Sequence, residues 1–336
     1  MARVTVIVLN YNGRELLDIA VPTVLSQTYQ DREVVIVDNG SGDGSPEHIA
    51  ERWPDVRVVA LPQNVGVTPA LNRGVDATDT ELVALLNNDL ELDPEWLANS
   101  VAALDADPAA AAVAGKMLRF RDRDRFDAAG DALLPSGAAL NRGAGQRDTG
   151  QFDTPGEVFC ACGGAAVYRR AAFAQVGPFD EDLLAYMEDV DWGFRARLMG
   201  WRTRYAPAAV AYHMGGATTS KQPARYGRLQ RRNHLVVMVK NTPRLARRLP
   251  MILLYQLAWF AASARDGMLR VHLGAWKDFA TVLPAVLRKR RAIQASRTVS
   301  AAEIERALRL DLPAGRGRAL LLQVAPVAAG RLLAGR

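Results

Sequence analysis

Four short apolar runs, VTVIVL at 4–9, EVVIVD at 33–38, VRVVAL at 56–61 and ELVALL at 81–86, recur through the first 90 residues and constrain the chain more than any other feature. Each is too short for a helix and rich in β-branched side chains. The segments between them carry helical spacing, as in Leu16, Ile19, Ala20, Val24 and Leu25. Strand, helix, strand at this interval predicts an α/β fold, a Rossmann-like and mostly parallel sheet with helices on both faces. Ligands of such sheets sit beyond the carboxyl ends of the strands. Those ends read Asn10-Tyr11-Asn12, Asp38-Asn39-Gly40-Ser41, Gln63-Asn64 and Asn87-Asn88-Asp89, so every strand delivers polar side chains to one rim. In ALLNNDLELDPEWL, Asp93-Pro94 predicts the cap and first residue of the next helix. That accounts for Asp93 and leaves Asn87, Asn88 and Asp89 without a structural task.

The rest of the chain reads less evenly. Residues 120–158 are rich in Gly, Asp and Arg with weak periodicity, which predicts a mobile loop or short hairpin. A strand over 158–168, a helix, a Gly-Pro turn and a helix from near Glu188 are expected next. Beyond 220 the pattern is helical and basic, giving two expected units: a catalytic domain over 1–220 and a helical region over 221–336. A hydrophobic share of 49% excludes a disordered chain. Two cysteines, Cys160 and Cys162, in a C-A-C spacing fit neither a disulfide framework nor a zinc or redox motif. The first residues enter a strand pattern directly, so no signal peptide is expected and the cytoplasm is the expected compartment.

Several polar clusters invite chemistry. DNGSGDGS at 38–45 follows a strand yet matches neither dinucleotide nor P-loop spacing; Asp38 at a strand end can accept from a ring N–H such as a pyrimidine presents, although a plain Gly-rich turn would read the same. One carboxylate on a rigid strand end suffices for a divalent cation shared with a diphosphate, which makes Asp89 a candidate ligand. In MEDVDW, Asp191 stands four residues before Arg195 and can pair with it, while Glu188 suits a helix N-terminus. Asp189 is left over, in a position suited to a general base on a hydroxyl. His213, after the apolar PAAVAY, reads either as a structural histidine or, beside Asp89, as a metal ligand.

In this order, VIVLNYN, VVIVDNGSGDGS, QNVGVTPALNRG, LLNND, GGAAVYRR with GPFDE, YMEDVDW and H-x-x-G-x-T resemble the family 2 inverting glycosyltransferases of GT-A fold, over residues 3 to about 240. Within that family the pattern is most similar to bacterial rhamnosyltransferase-type enzymes of cell-surface polysaccharide assembly. The resemblance implies a nucleotide-sugar donor, dTDP-rhamnose or a UDP-sugar, a glycan or lipid-linked acceptor, and Mg2+ or Mn2+. It implies donor contacts at Asn10, Tyr11, Asp38, Asn64, Gly66, Asn72, Asn88 and Arg232, metal ligands Asp89 and His213, and Asp189 as base in an acidic pair with Glu188. Asn87 departs from the family's usual first carboxylate. A nucleotidyltransferase and a non-catalytic scaffold of the same fold are the rival readings; VLNYNGREL makes a poor phosphate loop for the first.

Charge is regional. Lys plus Arg against Asp plus Glu number 19 and 31 over residues 1–220 but 16 and 2 over 221–291. Such a block suits phospholipid, diphosphate or nucleic acid, or else balances the acidic first part across an internal interface. With MILLYQLAWFAASA at 251–264, too short to cross a bilayer, and the cluster Arg288-Lys289-Arg290-Arg291, it predicts peripheral attachment to an anionic membrane, at the cytoplasmic face of the inner membrane, with no nucleic-acid partner. Packing of 251–264 on a second subunit, as a homo-oligomer through the C-terminal helices, is the alternative.

Overall fold

The computed structural model describes residues 2–216 and 222–308. The end of the H-x-x-G-x-T pattern, Ala217-Thr218, and the stretch 309–336 lie outside the described residues.

The apolar runs form the elements that their spacing predicts: β1 (Val4–Asn10), α1 (Arg14–Leu25), β2 (Arg32–Asp38), α2 (Ser45–Arg52), β3 (Arg57–Ala60), α3 (Val67–Asp76) and β4 (Leu82–Asn87). β1 pairs in parallel with β2 and β4, and β2 with β3. The register sets Asn10 opposite Asp38 and Leu9 opposite Asn87, so the three polar strand ends lie level at one edge. β5 (Leu90–Leu92), α4 (Trp96–Asp105), β6 (Ala110–Arg119), β7 (Asp122–Ala128), β8 (Asp131–Leu133), β9 (Ala139–Asn141), β10 (Gly156–Val158), β11 (Ala165–Arg169), α5 (Arg170–Val176), α6 (Glu188–Leu198) and β12 (Arg202–His213) follow. The central sheet is ordered β10-β12-β6-β11-β4-β1-β2-β3. β11 runs antiparallel between β4 and β6, and β12 returns parallel to β6. Apolar side chains pack on both faces of this mixed sheet, with Val6, Val8 and Ala84 on one and Ile7, Val35 and Leu85 on the other.

Three expectations change. Residues 120–158 are not a mobile loop: they contain the expected short hairpin, β8 with β9, and beyond it supply β7 and β10, with Phe126, Ala128, Ala132 and Leu133 buried. The alternation is masked because the outward positions of β7 carry Arg and Asp that pair along the edge, as Arg125 with Asp122 and Arg147 with Asp124. The strand expected over 158–168 is two strands, β10 and β11, interrupted at 159–164. Asp93 opens a turn rather than capping the helix directly; its carboxylate accepts from the Glu95 N–H at 3.0 Å and regular helix starts at Trp96.

The C-terminal helices are α7 (Pro223–Asn241), α8 (Leu245–Arg265), α9 (Leu269–Ser296) and α10 (Ala301–Ala307). They have no separate core. Leu235, Val237, Ile252, Val286 and Ile304 join one cluster with Leu183, Met187, Val190 and Phe194 around the start of α6. Charge reinforces that seam. Lys240, buried on α7, is gripped by Asp180 and, at 2.8 Å, by Asp191, which also binds Arg195 at 2.9 Å. Lys289 reaches Asp180 and Asp182 at 2.5 and 2.7 Å, and Arg290 donates to the carbonyls of Val239 and Thr242. Much of the basic excess is therefore spent inside the chain, and the 288–291 cluster presents only Arg288 and Arg291 fully outward. The internal-interface reading of the charge asymmetry is correct for these residues.

Candidate functional site

The rim above β1, β2 and β4 is a lattice of short polar side chains. Asn10 donates from Nδ2 to Asp38 Oδ1 at 2.9 Å and accepts at Oδ1 from Asn88 Nδ2 at 2.7 Å. Asp38 also accepts from the Ser41 hydroxyl and backbone at 2.6 and 3.0 Å. Asn10, Asp38 and Asn88 are nearly fully buried, so each must be satisfied internally, while the carboxylate and amide oxygens retain acceptor capacity for a ligand. Gly13 is required here, since a Cβ would stand 2.0 Å from Asn88 Nδ2. Tyr11 flanks the lattice, half-buried.

Asn64 and Gly66 form the lip of the neighbouring β3–α3 connection. Asn64 Oδ1 accepts from the Gly66 N–H at 2.9 Å, and Asn39 braces both sides by accepting from Val65 N and donating to Gly66 O at 3.0 Å each. Gly66 has φ +98°, and a Cβ there would lie 3.1 Å from the Leu184 carbonyl oxygen. This lip thus touches the loop that leads into α6, and Thr68 N–H donates to that same carbonyl at 3.0 Å.

This loop is strained. Leu184, Tyr186 and Met187 all have positive φ, 62°, 68° and 69°, which L-residues adopt at a cost. Asn233, fully buried on α7, donates from Nδ2 to the carbonyls of Leu183, Ala185 and Tyr186 at 2.8 to 2.9 Å. Arg232 donates to the carbonyls of Asp182 and Leu183, and Asn72 exchanges two hydrogen bonds with the Phe179 backbone at 2.9 and 3.0 Å. Asn72 and Arg232 are thereby found on the backbone of 179–183.

The loop delivers Glu188 and Asp189. Asp189 accepts at Oδ2 from the Gly163 N–H at 2.8 Å and at Oδ1 from Val190 N–H at 2.7 Å. Burial pushes its carboxyl above the ordinary range against the pull of those two donors. Glu188 is pushed up to about 8 by burial and by the charge of Asp189. Burial raises both carboxyls and each opposes the charge of the other, so the pair resists carrying two negative charges at once. Asp191, in contrast, is held low by Lys240 and Arg195 despite its burial.

Antiparallel pairing of β5 with β12 sets Leu90 opposite His213, which brings Asp89 beside a residue 124 positions away. His213 Nε2 lies 3.2 Å from Asp89 Oδ1, inside ion-pair distance yet without hydrogen-bond geometry. Two donor atoms of one octahedral divalent ion stand about 3 Å apart, so this nitrogen and oxygen fit a shared Mg2+ or Mn2+. On its other side His213 Nδ1 meets Asp127 at 2.7 Å. Burial lowers the affinity of His213 for a proton, but the two carboxylates overcome this and raise its pKa to about 10.

No sequence signal marks Asp127, which lies in the segment of weak periodicity, or the Gly163 N–H, and Asn233 sits in an ordinary helical pattern while its amide meets the loop backbone. Between base and histidine, Asp131 and Cys162 place ligand-capable atoms within 4.8 Å of Asp189, and the Cys162 thiol is raised by burial and by Asp131, Asp189 and Asp127.

Comparison with known proteins bears on the family and the fold. The family profile described as Glycosyl transferase family 2 matches residues 5–177. The N-acetylglucosaminyl-diphospho-decaprenol L-rhamnosyltransferase of Mycobacterium tuberculosis is 32% identical over 218 residues, 57% of this chain and 69% of that protein. Among solved structures, a mannosyltransferase from Pyrobaculum calidifontis in complex with GDP-Man and Mn2+ superposes with TM-score 0.51 at 22% identity, covering 98% of this chain and 84% of its own. S. aureus TarS gives TM-score 0.56 at 19% identity, over 92% and 89%. These two establish the likeness of fold, GT-A with a helical C-terminal region.

Proposed function

The chain belongs to glycosyl transferase family 2, and on that premise we propose that it moves a sugar from a nucleoside-diphosphate donor, dTDP-rhamnose or a UDP-sugar, to a hydroxyl of a lipid-linked or cell-surface glycan acceptor with inversion at the anomeric carbon. The observation that carries the reading is the sorting of the acidic trio. Asp191 is consumed by Lys240 and Arg195 and Glu188 holds a proton. Asp189 is instead fixed by the backbone N–H groups of Gly163 and Val190, which orient its carboxylate without the cations that hold Asp191.

In this mechanism Asp189 takes the proton of the acceptor hydroxyl while that oxygen attacks the anomeric carbon from the side opposite the diphosphate. The new C–O bond forms as the bond to the diphosphate breaks, in one displacement and without a covalent enzyme intermediate, so a single carboxylate at the reacting centre suffices. A divalent cation held by Asp89 and His213 supplies charge neutralisation on the leaving diphosphate. Asn10, Tyr11, Asp38, Asn64, Gly66 and Asn88 hold the nucleotide side. Asn72 and Arg232 act through the backbone of 179–183 rather than on the donor directly. Catalysis is assigned to 1–220, with 221–308 bracing the loop that leads to the base.

The 32% identical mycobacterial protein, whose name specifies a rhamnosyl transfer onto a diphospho-decaprenol-linked sugar, supports the choice of donor and of a lipid-linked acceptor. The same reading puts the protein at the cytoplasmic face of a membrane, where soluble donor and lipid-linked acceptor meet. The test is Asp189→Asn. Turnover is expected to fall by roughly two to four orders of magnitude with nucleoside-diphosphate binding by calorimetry nearly unchanged; retention of more than about a tenth of transfer removes Asp189 as the base.

A further inference from the structure

Among the described residues nine large apolar side chains stand exposed, and four of them are on α8: Leu249, Leu253, Leu254 and Leu257, at 40, 50, 50 and 59% exposure. Their spacing of four, one and three residues is a single stripe of a 3.6-residue period. The opposite face of α8 is committed inward through Ile252, Tyr255, Gln256 and Ser263. The helix carries no carboxylate anywhere along its length. Arg244 and Arg247 stand exposed at its start, and Arg248 is buried against Glu305. The exposed Arg265 at its end pairs with the adjoining Asp266 at 3.2 Å, so the unspent basic charge is at the start of the helix. On α9, exposed Arg270, Lys277, Arg288 and Arg291 have the same sign, and the sole α9 carboxylate, Asp278, is gripped by Arg228 at 2.5 and 2.6 Å.

From this we propose that the outer face of α8 docks on an anionic lipid bilayer, the helix lying in the plane of the interface with its leucines among the acyl chains and its arginines at the level of the phosphates. An apolar stripe with a basic end and no acid is the pattern of an in-plane interfacial helix. No described helix is long and apolar enough to cross a membrane, so the stripe lies on the bilayer rather than through it. A second copy of the chain is the poorer occupant. A two-fold contact sets a patch against itself, and here it would bring the exposed Arg244 and Arg247 against their own mates or, in an antiparallel pair, against Arg265, with only Asp266, already paired with Arg265, to answer them. The device also differs from the 288–291 cluster, half of which is spent on Asp180, Asp182 and backbone carbonyls. This inference rests on the lipid-linked acceptor reading for its purpose but not for its test.

The test is co-sedimentation of the full chain with vesicles of phosphatidylglycerol and of phosphatidylcholine. Binding to the first at low salt and not to the second is expected, with a drop of about tenfold or more in the triple variant Leu253→Gln, Leu254→Gln, Leu257→Gln, and a steeper loss with salt in Arg244→Gln, Arg247→Gln. Retained nucleoside-diphosphate binding by the triple variant certifies its fold and reports separately on the donor-site reading. As a second readout, Leu254→Cys in a Cys162→Ala background carries an environment-sensitive dye. A blue shift with phosphatidylglycerol vesicles is expected there and not at Glu51→Cys on α2. Indifference of the wild-type chain to phosphatidylglycerol at low salt, wild-type binding by the triple variant, or a soluble dimer that the triple variant dissociates, each overturns the proposal.

Discussion

The two halves of the rim are built by different means. The nucleotide side, residues 10 to 89, is set by sheet register: Asn10, Asp38 and Asn88 come from adjacent or next-door strand ends and lock one another directly. The base side is assembled from afar. Asp189 is anchored by Gly163, the loop before it is held by Asn233 of α7, and His213 meets both Asp89 and Asp127 across more than 80 residues of chain. A lattice of neighbours tolerates loss of a distant brace. A strained loop whose three positive φ angles are held chiefly by side chains from α7 and α3, Asn233, Arg232 and Asn72, depends on those distant braces.

The strongest way to break this contrast is Asn233→Ala. Removing the amide takes a donor from the Ala185 and Tyr186 carbonyls and weakens the hold on that of Leu183, and turnover is expected to fall by about a hundredfold while the affinity for nucleoside diphosphate, measured by calorimetry, changes by less than about threefold. Equal losses in both would mean that the two halves are one unit. Next in size is Asp89→Ala, expected to weaken metal-dependent donor binding by about tenfold and more than His213→Ala does, because a carboxylate brings charge to the ion and a neutral imidazole does not. Donor binding insensitive both to chelator and to Asp89→Ala would remove the shared ion.

Gly66→Ala tests one of the places where the two sides touch. At φ +98° and 3.1 Å from the Leu184 oxygen, a methyl group must displace the lip, the loop or both. A few-fold loss is expected in nucleotide affinity and turnover together, and loss in one alone would show that the contact transmits nothing. The smallest effect on turnover is expected at Glu188→Gln, within about twofold at pH 7, since Glu188 is already neutral there. Its stability effect has a definite sign. A carboxyl raised to about 8 in the folded chain favours folding fully below its unfolded pKa, about 4, and loses that contribution as pH rises through 8. Urea denaturation of Glu188→Gln should therefore show a gain relative to the wild-type chain at pH 8 to 9 that is absent at pH 4.

What the sequence determined by itself is the nucleotide half. The β-branched runs, the helical spacing between them and the polar residues at their ends follow rules that operate over ten residues or fewer, and a parallel sheet then brings those ends to one edge as a matter of geometry. Asp191 with Arg195, four apart on a helix, was equally legible, and Asp189 stood out as the carboxylate left without a partner. Tertiary structure alone decided the rest. The β-pattern of 120–158 is hidden by edge strands whose outward residues are charged, so Asp127 could not be placed beside His213. Asn233 lies inside an ordinary helical pattern, and only the packing of α7 on the α6 region turns its amide onto three carbonyls of a strained loop. The charge of 221–291 looked like one basic surface until folding divided it, sinking Lys240 and Lys289 against Asp180 and leaving Arg244 and Arg247 outside. Local propensity is written in neighbouring residues, whereas the pairing of buried polar groups depends on which distant segments the hydrophobic core brings together.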